Sequence, residues 1–148
     1  MENSKCFTVP KKVYLADTDA TGIGYYARHL EWLEMARIEF ITRIYKPLSR
    51  MIAEDRISFM PIRVEIDYKA PPLFEDELTI YLTIKNLDKL KMVLSYQVTK
   101  MVNEKVIPVS EAEITMLCVD LEKGSKPCRI PEALTNIFQE WLSGNHNM

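Results

Sequence analysis

Two carboxylates, Asp17 and Asp19, stand one residue apart in the stretch "DTDATGIGYY", residues 17–26. Two glycines, Gly22 and Gly24, and two tyrosines, Tyr25 and Tyr26, follow at once. Acids placed this closely can hold a divalent cation, attack an electrophilic centre or draw a proton from water. Glycines let the chain turn sharply and let another molecule approach the backbone. The tyrosines open the run "YYARHLEWLEMARIEFITRIY", residues 25–45, which has no glycine or proline and reads as a helix. The first N–H groups of a helix have no internal partner and carry partial positive charge. Aimed at a carbonyl, they can hold the oxyanion that forms when it is attacked. The stretch thus contains the parts for acyl transfer to water. A plainer role is also open. Asp19 could only stabilise a turn, and Gly22 and Gly24 could only supply positive φ.

The elements that must position this loop read as follows. Residues 7–16, "FTVPKKVYLA", form a strand leading into it. On the helix, Tyr26, Leu30, Leu33, Phe40, Ile41 and Ile44 share one stripe, with Trp32, Met35 and Ile38 off it. Apolar on more than one side, the helix is expected to be central and largely buried. Pro47 ends it, and "LSRMIAED" suggests a short second helix. The period then changes to two. Residues 63–70, 77–87, 91–102 and 106–122 read as four long strands linked by turns, with "KAPPLFED" the proline-marked turn before the second of them. "RIPEALTNIFQEWL" closes the chain as a strand end and a capping helix. This order predicts an α+β fold, one antiparallel sheet laid on one central helix. Such a sheet leaves an edge strand, so edge-to-edge pairing as a dimer is expected.

Composition narrows the partners. The 148 residues suit a single domain, with a core over about 8–142 and a polar tail that carries His146. Net charge is −2 without a basic block, which argues against nucleic acid or an anionic membrane as partner. No run of about 18 apolar residues could span a bilayer, and no apolar leader opens the chain. Cys6, Cys118 and Cys128 are odd in number and lack metal-ligand spacing, so reduced thiols in a cytoplasmic protein are expected.

Two families come into question. "DTDAT" after "VYLA" fits the DxDxT pattern of haloacid-dehalogenase-type phosphatases, in which both acids face magnesium. That family needs a parallel sheet and a later acidic pair, and neither is legible here. The longer segment "VYLADTDATGIGYYARHLEWLEMAR" resembles the DTDxxGxVYyxxYlxwxexAR segment of small hotdog-fold acyl-CoA thioesterases, the 4-hydroxybenzoyl-CoA thioesterase family. "IRVEIDYKAPPLFEDELTIYLTIKNLDKLKMVLSYQV" and "LCVDLEKGSKPCRIPEAL" are similar to later parts of that family, so the likeness runs over roughly residues 8–135.

The resemblance implies a hotdog fold, an antiparallel sheet wrapped around one long central helix, assembled as a dimer or a tetramer of dimers. It implies hydrolysis of an acyl-CoA thioester with no metal or organic cofactor. Its catalytic carboxylate, three residues before the motif glycine Gly22, falls on Asp19; Asp17 would hold the loop. Asp19 would act as nucleophile, through a mixed anhydride, or as general base on water. The oxyanion donor falls on the backbone N–H of Tyr26. Gly22, Ile23, Gly24, Tyr25 and His29 would line the substrate site. Gly24 departs from the family's apolar residue, and His29 and Leu30 stand around its second tyrosine; the first change would loosen the loop or widen the pocket. Lys89 and Lys91, with Lys85, cluster at the "KNLDKLK" turn, either as a solvated hairpin tip or as contacts for the CoA phosphates. Arg37 falls within the helix stripe and needs a partner, Glu34 or Asp67; Glu34 itself is a lesser candidate base. "VYLADTD" also resembles dihydroxynaphthoyl-CoA hydrolases, which keeps an aromatic acyl group among the options beside short aliphatic ones and carrier-protein thioesters. A hotdog domain that binds acyl thioesters without turnover is the other alternative.

Overall fold

The computed structural model describes residues 5–143, so His146 lies outside the described residues. Strand β1 (Phe7–Lys12) leads through a 3-10 turn (Leu15–Asp17) into the acidic loop and helix α1 (Tyr26–Ile44). A short helix α2 (Leu48–Arg50) runs into a π turn (Met51–Asp55). Strands β2 (Ile57–Tyr68), β3 (Glu77–Leu87), β4 (Lys91–Val102) and β5 (Lys105–Asp120) follow, then β6 (Lys126–Pro127) and helix α3 (Glu132–Gln139). Every strand pairing is antiparallel, and the sheet order is β1-β3-β4-β5-β2 with β6 on β5. The α+β expectation holds. The parallel sheet that the DxDxT phosphatase reading requires is absent among the described residues, and that reading falls with it.

The order corrects one expectation. Strand β2 pairs with β5 and not with its sequence neighbour β3. Ala70, Pro71 and Pro72 follow β2, and prolines cannot donate to a hairpin ladder. The segment 69–76 therefore crosses from one edge of the sheet towards the other. It starts with Lys69 N–H and Ala70 N–H on the Val109 carbonyl and ends with Glu75 N–H on Val13 O and Val13 N–H on Asp76 O. The β3–β4 and β4–β5 connections are hairpins as expected. Asn103 and Glu104, both at positive φ, make the second a type I′ turn.

Period two produces the core. Leu78, Ile80, Leu82 and Ile84 of β3, Met92, Leu94, Tyr96 and Val98 of β4, and Ala112, Ile114, Met116 and Cys118 of β5 are buried. Phe40 of α1 meets the Phe7 and Trp141 rings at 5.5 and 5.2 Å. The helix is rotated from the expected stripe. Its buried residues are His29, Trp32, Leu33, Ala36, Arg37, Phe40 and Ile41, while Tyr26 is 67% and Leu30 42% exposed. A wheel drawn from apolar side chains passes over His29, small Ala36 and Arg37, and these decide the face. Only that face packs; Glu31, Glu34, Glu39 and Arg43 are exposed, so α1 is not buried on several sides. No helix among the described residues is long and apolar enough to cross a membrane.

Candidate active site

The acidic loop closes on itself. Thr18 and Gly24 form a bridge, Asp19 N–H donates to Ile23 O at 2.9 Å, and Gly22 N–H donates to Asp19 O at 3.1 Å. Gly22 sits at φ +83°, the left-handed region that favours glycine. Gly24 does not, which corrects its expected role. It is glycine because of a close approach: an added Cβ would lie 2.8 Å from Pro72 Cγ and 3.2 Å from the Trp32 ring. Its N–H donates to Pro72 O at 2.7 Å, and Phe74 N–H donates to Gly22 O at 3.2 Å. The proline crossover thus clamps the loop from outside. The crossover is itself held by Lys100, 8% exposed, whose Nζ reaches Pro71 O at 2.9 Å and Asp76 Oδ2 at 2.8 Å.

The two acids have different surroundings. Asp17 Oδ2 accepts from Tyr14 N–H at 2.9 Å and from Lys11 Nζ at 3.0 Å, and Oδ1 faces Trp32 Nε1 at 3.4 Å. Its carbonyl accepts Tyr25 N–H at 2.7 Å, which fixes the start of α1. Burial acts to raise the Asp17 carboxyl, but these hydrogen bonds and the lysine charge outweigh it and hold it below the usual carboxylate range. Both oxygens of Asp17 are thus engaged.

Asp19 is exposed. Its Oδ1 accepts the Thr21 hydroxyl at 2.5 Å and Thr21 N–H at 2.8 Å. Those bonds lower its pKa, so it is ionised at neutral pH. Its Oδ2 has no protein partner among the described residues. At the other foot of the loop, α1 begins at Tyr26 after Tyr25. The Tyr26 and Ala27 N–H groups donate to no backbone carbonyl among the described residues, as expected for a helix start. An ionised carboxylate with a free oxygen and two free N–H groups therefore stand at the two feet of one closed loop. The Tyr25 and Tyr26 rings meet edge to face, centroids 5.2 Å apart.

Beside the helix start lies a cavity of about 330 Å³. Ile23, Gly24, Tyr26 and His29 border it, as do Tyr68 and Pro72. His29 is 2% exposed, and burial lowers its pKa to about 4. Ser110, 2.6 Å from its Nε2, and Tyr68 were not anticipated. One signal was available for Ser110: it is the polar residue among the inward positions 110, 112, 114, 116 and 118 of β5.

Lys89 and Lys91 are not brought to this loop within the protomer. The loop follows the β1 end where Lys12 pairs Glu77, while both lysines cap the opposite end of β3. Ten residues of strand separate the two ends, roughly 33 Å. Asp88 Oδ1 accepts Leu90 N–H and Lys91 N–H there, so the segment is a hairpin tip with Arg129 beside it. Lys85 pairs with Glu113 on the outer face. Arg37 has Glu34 at 3.8 Å; Asp67 is exposed on β2 and makes no ion pair with it.

A family model described as the thioesterase-like superfamily matches residues 13–142. The chain is 30% identical over 138 residues to the acyl-CoA thioester hydrolase YbgC of Escherichia coli O6:H1, covering 93% of this chain and 99% of that one. Its fold is similar to that of a 1,4-dihydroxy-2-naphthoyl-CoA thioesterase from Synechocystis, with TM-score 0.80, 23% identity and coverage of 90% and 96%. It is also similar to 4-hydroxybenzoyl-CoA thioesterase from Pseudomonas sp. strain CBS-3, with TM-score 0.83, 17% identity and coverage of 90% and 99%.

Proposed function

Because this chain belongs to the thioesterase-like superfamily and is an acyl-CoA thioester hydrolase of hotdog fold, we propose that Asp19 carries the reaction and that the N–H groups at the start of α1 hold the carbonyl oxygen. The observation behind this reading is the loop geometry: an ionised Asp19 with one free oxygen and the unpaired Tyr26 and Ala27 N–H groups stand at the two feet of one closed loop. The thioester carbonyl rests on the helix start. Charge that develops on its oxygen meets donors already in place, which lowers the barrier. Asp19 then attacks the carbonyl carbon to form a mixed anhydride, or takes a proton from the water that attacks it. The CoA thiolate leaves and is protonated, and water completes the acid. No step calls for a metal or an organic cofactor. The test is free-thiol release from a panel of acyl- and aryl-CoA esters with chelator present. Release is expected; silence across the panel would overturn the assignment.

The Thr21 hydroxyl gives this reading a pH signature. Asp19 works as a carboxylate, and its pKa is depressed mainly by that hydroxyl. Activity therefore persists as pH falls below the ordinary carboxylate range and is lost only through the depressed value. Thr21→Val removes the strongest of these bonds, so the acidic limb of the kcat profile moves to higher pH. A limb that stays in place would detach Thr21 from the working group.

The protein works as a dimer joined along β2, and two such dimers can form a tetramer. Support comes from that edge strand, where Met60, Ile62, Val64 and Tyr68 are 42–52% exposed. A cavity of about 260 Å³ between α1 and β2, bordered by Leu30, Arg37 and Val64, opens beside it. Sedimentation is expected to give at least twice the mass of one chain, falling to one for Val64→Asp. A wild type that sediments as one chain would refute the pairing. The three free thiols support a reducing compartment, the cytoplasm.

A further inference from the structure

The cavity beside the helix start is lined mainly by apolar and aromatic groups; of its two basic residues Lys69 is exposed, and His29 is the one buried in its wall. His29 is held from three sides. The Trp32 ring lies 5.0 Å away, the Tyr68 ring meets it edge to face at 5.4 Å, and Ser110 Oγ is 2.6 Å from Nε2. Ser110 is 1% exposed, and its hydroxyl has no other partner among the described residues. A buried hydroxyl left without an acceptor is costly. The acceptor within reach is Nε2, so Ser110 donates and Nε2 accepts. In a neutral imidazole the proton then belongs to Nδ1. Burial keeps the ring neutral at physiological pH.

Nδ1 has no hydrogen-bond partner among the described residues. Yet no fully buried side-chain nitrogen or oxygen among them is left unpaired. Nδ1 is therefore open to space, and the space that His29 borders is this cavity. The result is a buried neutral N–H donor set among apolar and aromatic side chains. Such a donor does not suit a purely hydrocarbon ligand, because burial against methylene groups leaves it unpaired.

We propose that His29, set in one tautomer by Ser110, is a specificity-determining residue of the acyl site, and that it selects acyl groups carrying an oxygen acceptor, a hydroxyl, keto or ether oxygen, over their deoxy counterparts. This rests on the reading that thioesters bind at the start of α1. It assigns a task to the residue that stands in this chain where the motif carries its second tyrosine.

The probes are two pairs of esters that differ by one oxygen: butyryl-CoA with acetoacetyl-CoA, and benzoyl-CoA with 4-hydroxybenzoyl-CoA. The readout is the ratio of kcat/KM within a pair, so a general slowing drops out. In the wild type the oxygen-bearing member of at least one pair is expected to be favoured about tenfold or more. His29→Phe combined with Ser110→Ala leaves no orphan hydroxyl, and the ratio should fall to about one. His29→Asn retains an N–H near the place of Nδ1 and should restore part of the preference. Ser110→Ala alone, the mildest change to packing, should lower the ratio by freeing the other tautomer. Calorimetric titration of Asp19→Asn with the same esters reads the preference without turnover. Preference in binding with no hydrolysis by the wild type would sink the role of Asp19 and leave that of His29 standing. A wild type that treats both members of each pair alike, or folded variants with an unchanged ratio, would overturn the proposal and leave His29 a packing residue.

Discussion

Asp19→Asn is expected to lower kcat by about 10³-fold or more, within or beyond the range that a positioned acid or base contributes, without unfolding the protein. The substitution is nearly isosteric. The amide oxygen can still accept the Thr21 hydroxyl and N–H that Asp19 Oδ1 now holds, so the turn survives. What disappears is the negative charge on the second, free oxygen, and with it both the nucleophile and the base. Binding should persist, because the helix-start N–H groups and the cavity are untouched. The variant is therefore expected to show lost turnover with a near-normal melting temperature. Single turnover of the wild type in heavy-oxygen water separates the two mechanisms. A general base delivers the label to the product every time, whereas an anhydride opened at the Asp19 carboxyl leaves it on the protein. Thiol release that survives in the variant would move the chemistry to another acid. Asp17 is a poor successor, since both its oxygens are engaged. Glu34 is exposed on α1 eight residues beyond Tyr26, about 12 Å along the axis at 1.5 Å per residue.

Gly24→Ala is expected to cost about 1–3 kcal/mol of stability, the usual range for overpacking, and up to about 10²-fold in kcat/KM. The second figure follows from the sensitivity of catalysis to a displacement of about 1 Å. A methyl group at Gly24 would stand 2.8 Å from Pro72 Cγ and 3.2 Å from the Trp32 ring. Neither neighbour is the loose end of a flexible chain. The loop must part from the crossover, which strains the Gly24 N–H to Pro72 O bond and moves the start of α1 relative to Asp19. Gly22→Ala is the control. Its added Cβ meets nothing within 4 Å, and the penalty is the positive φ alone, about 1 kcal/mol. The measurements are thermal melts and thiol-release kinetics on both variants. A Gly24→Ala protein that melts and turns over like the wild type would show that the crossover does not hold the catalytic loop.

The local chemistry of this protein was written in its sequence. Alternation of apolar residues predicted β3, β4 and β5 because each side chain's face follows from its parity along the strand. The D-x-x-G spacing, through the resemblance it carries, nominated Asp19 as the working carboxylate and Asp17 as the holder of the loop. Both are short-range properties, set by residues within a few positions of one another. Other features depend on residues far apart in the chain, and these only the tertiary structure decided. The pairing of β2 with β5, and not with β3, arises because a proline segment cannot close a hairpin, and where that segment then goes depends on the whole sheet. The face of α1 was misread because Trp32 turns inward to meet Asp17 while His29 meets Ser110, 81 positions away. Gly24 is glycine on account of Pro72, which no local rule brings near. Lys89 and Lys91 joined the expected site by family likeness, yet the length of β3 separates them from the acidic loop within one chain. Spacing along the chain could nominate the reacting group. The distance across the sheet determined what surrounds it.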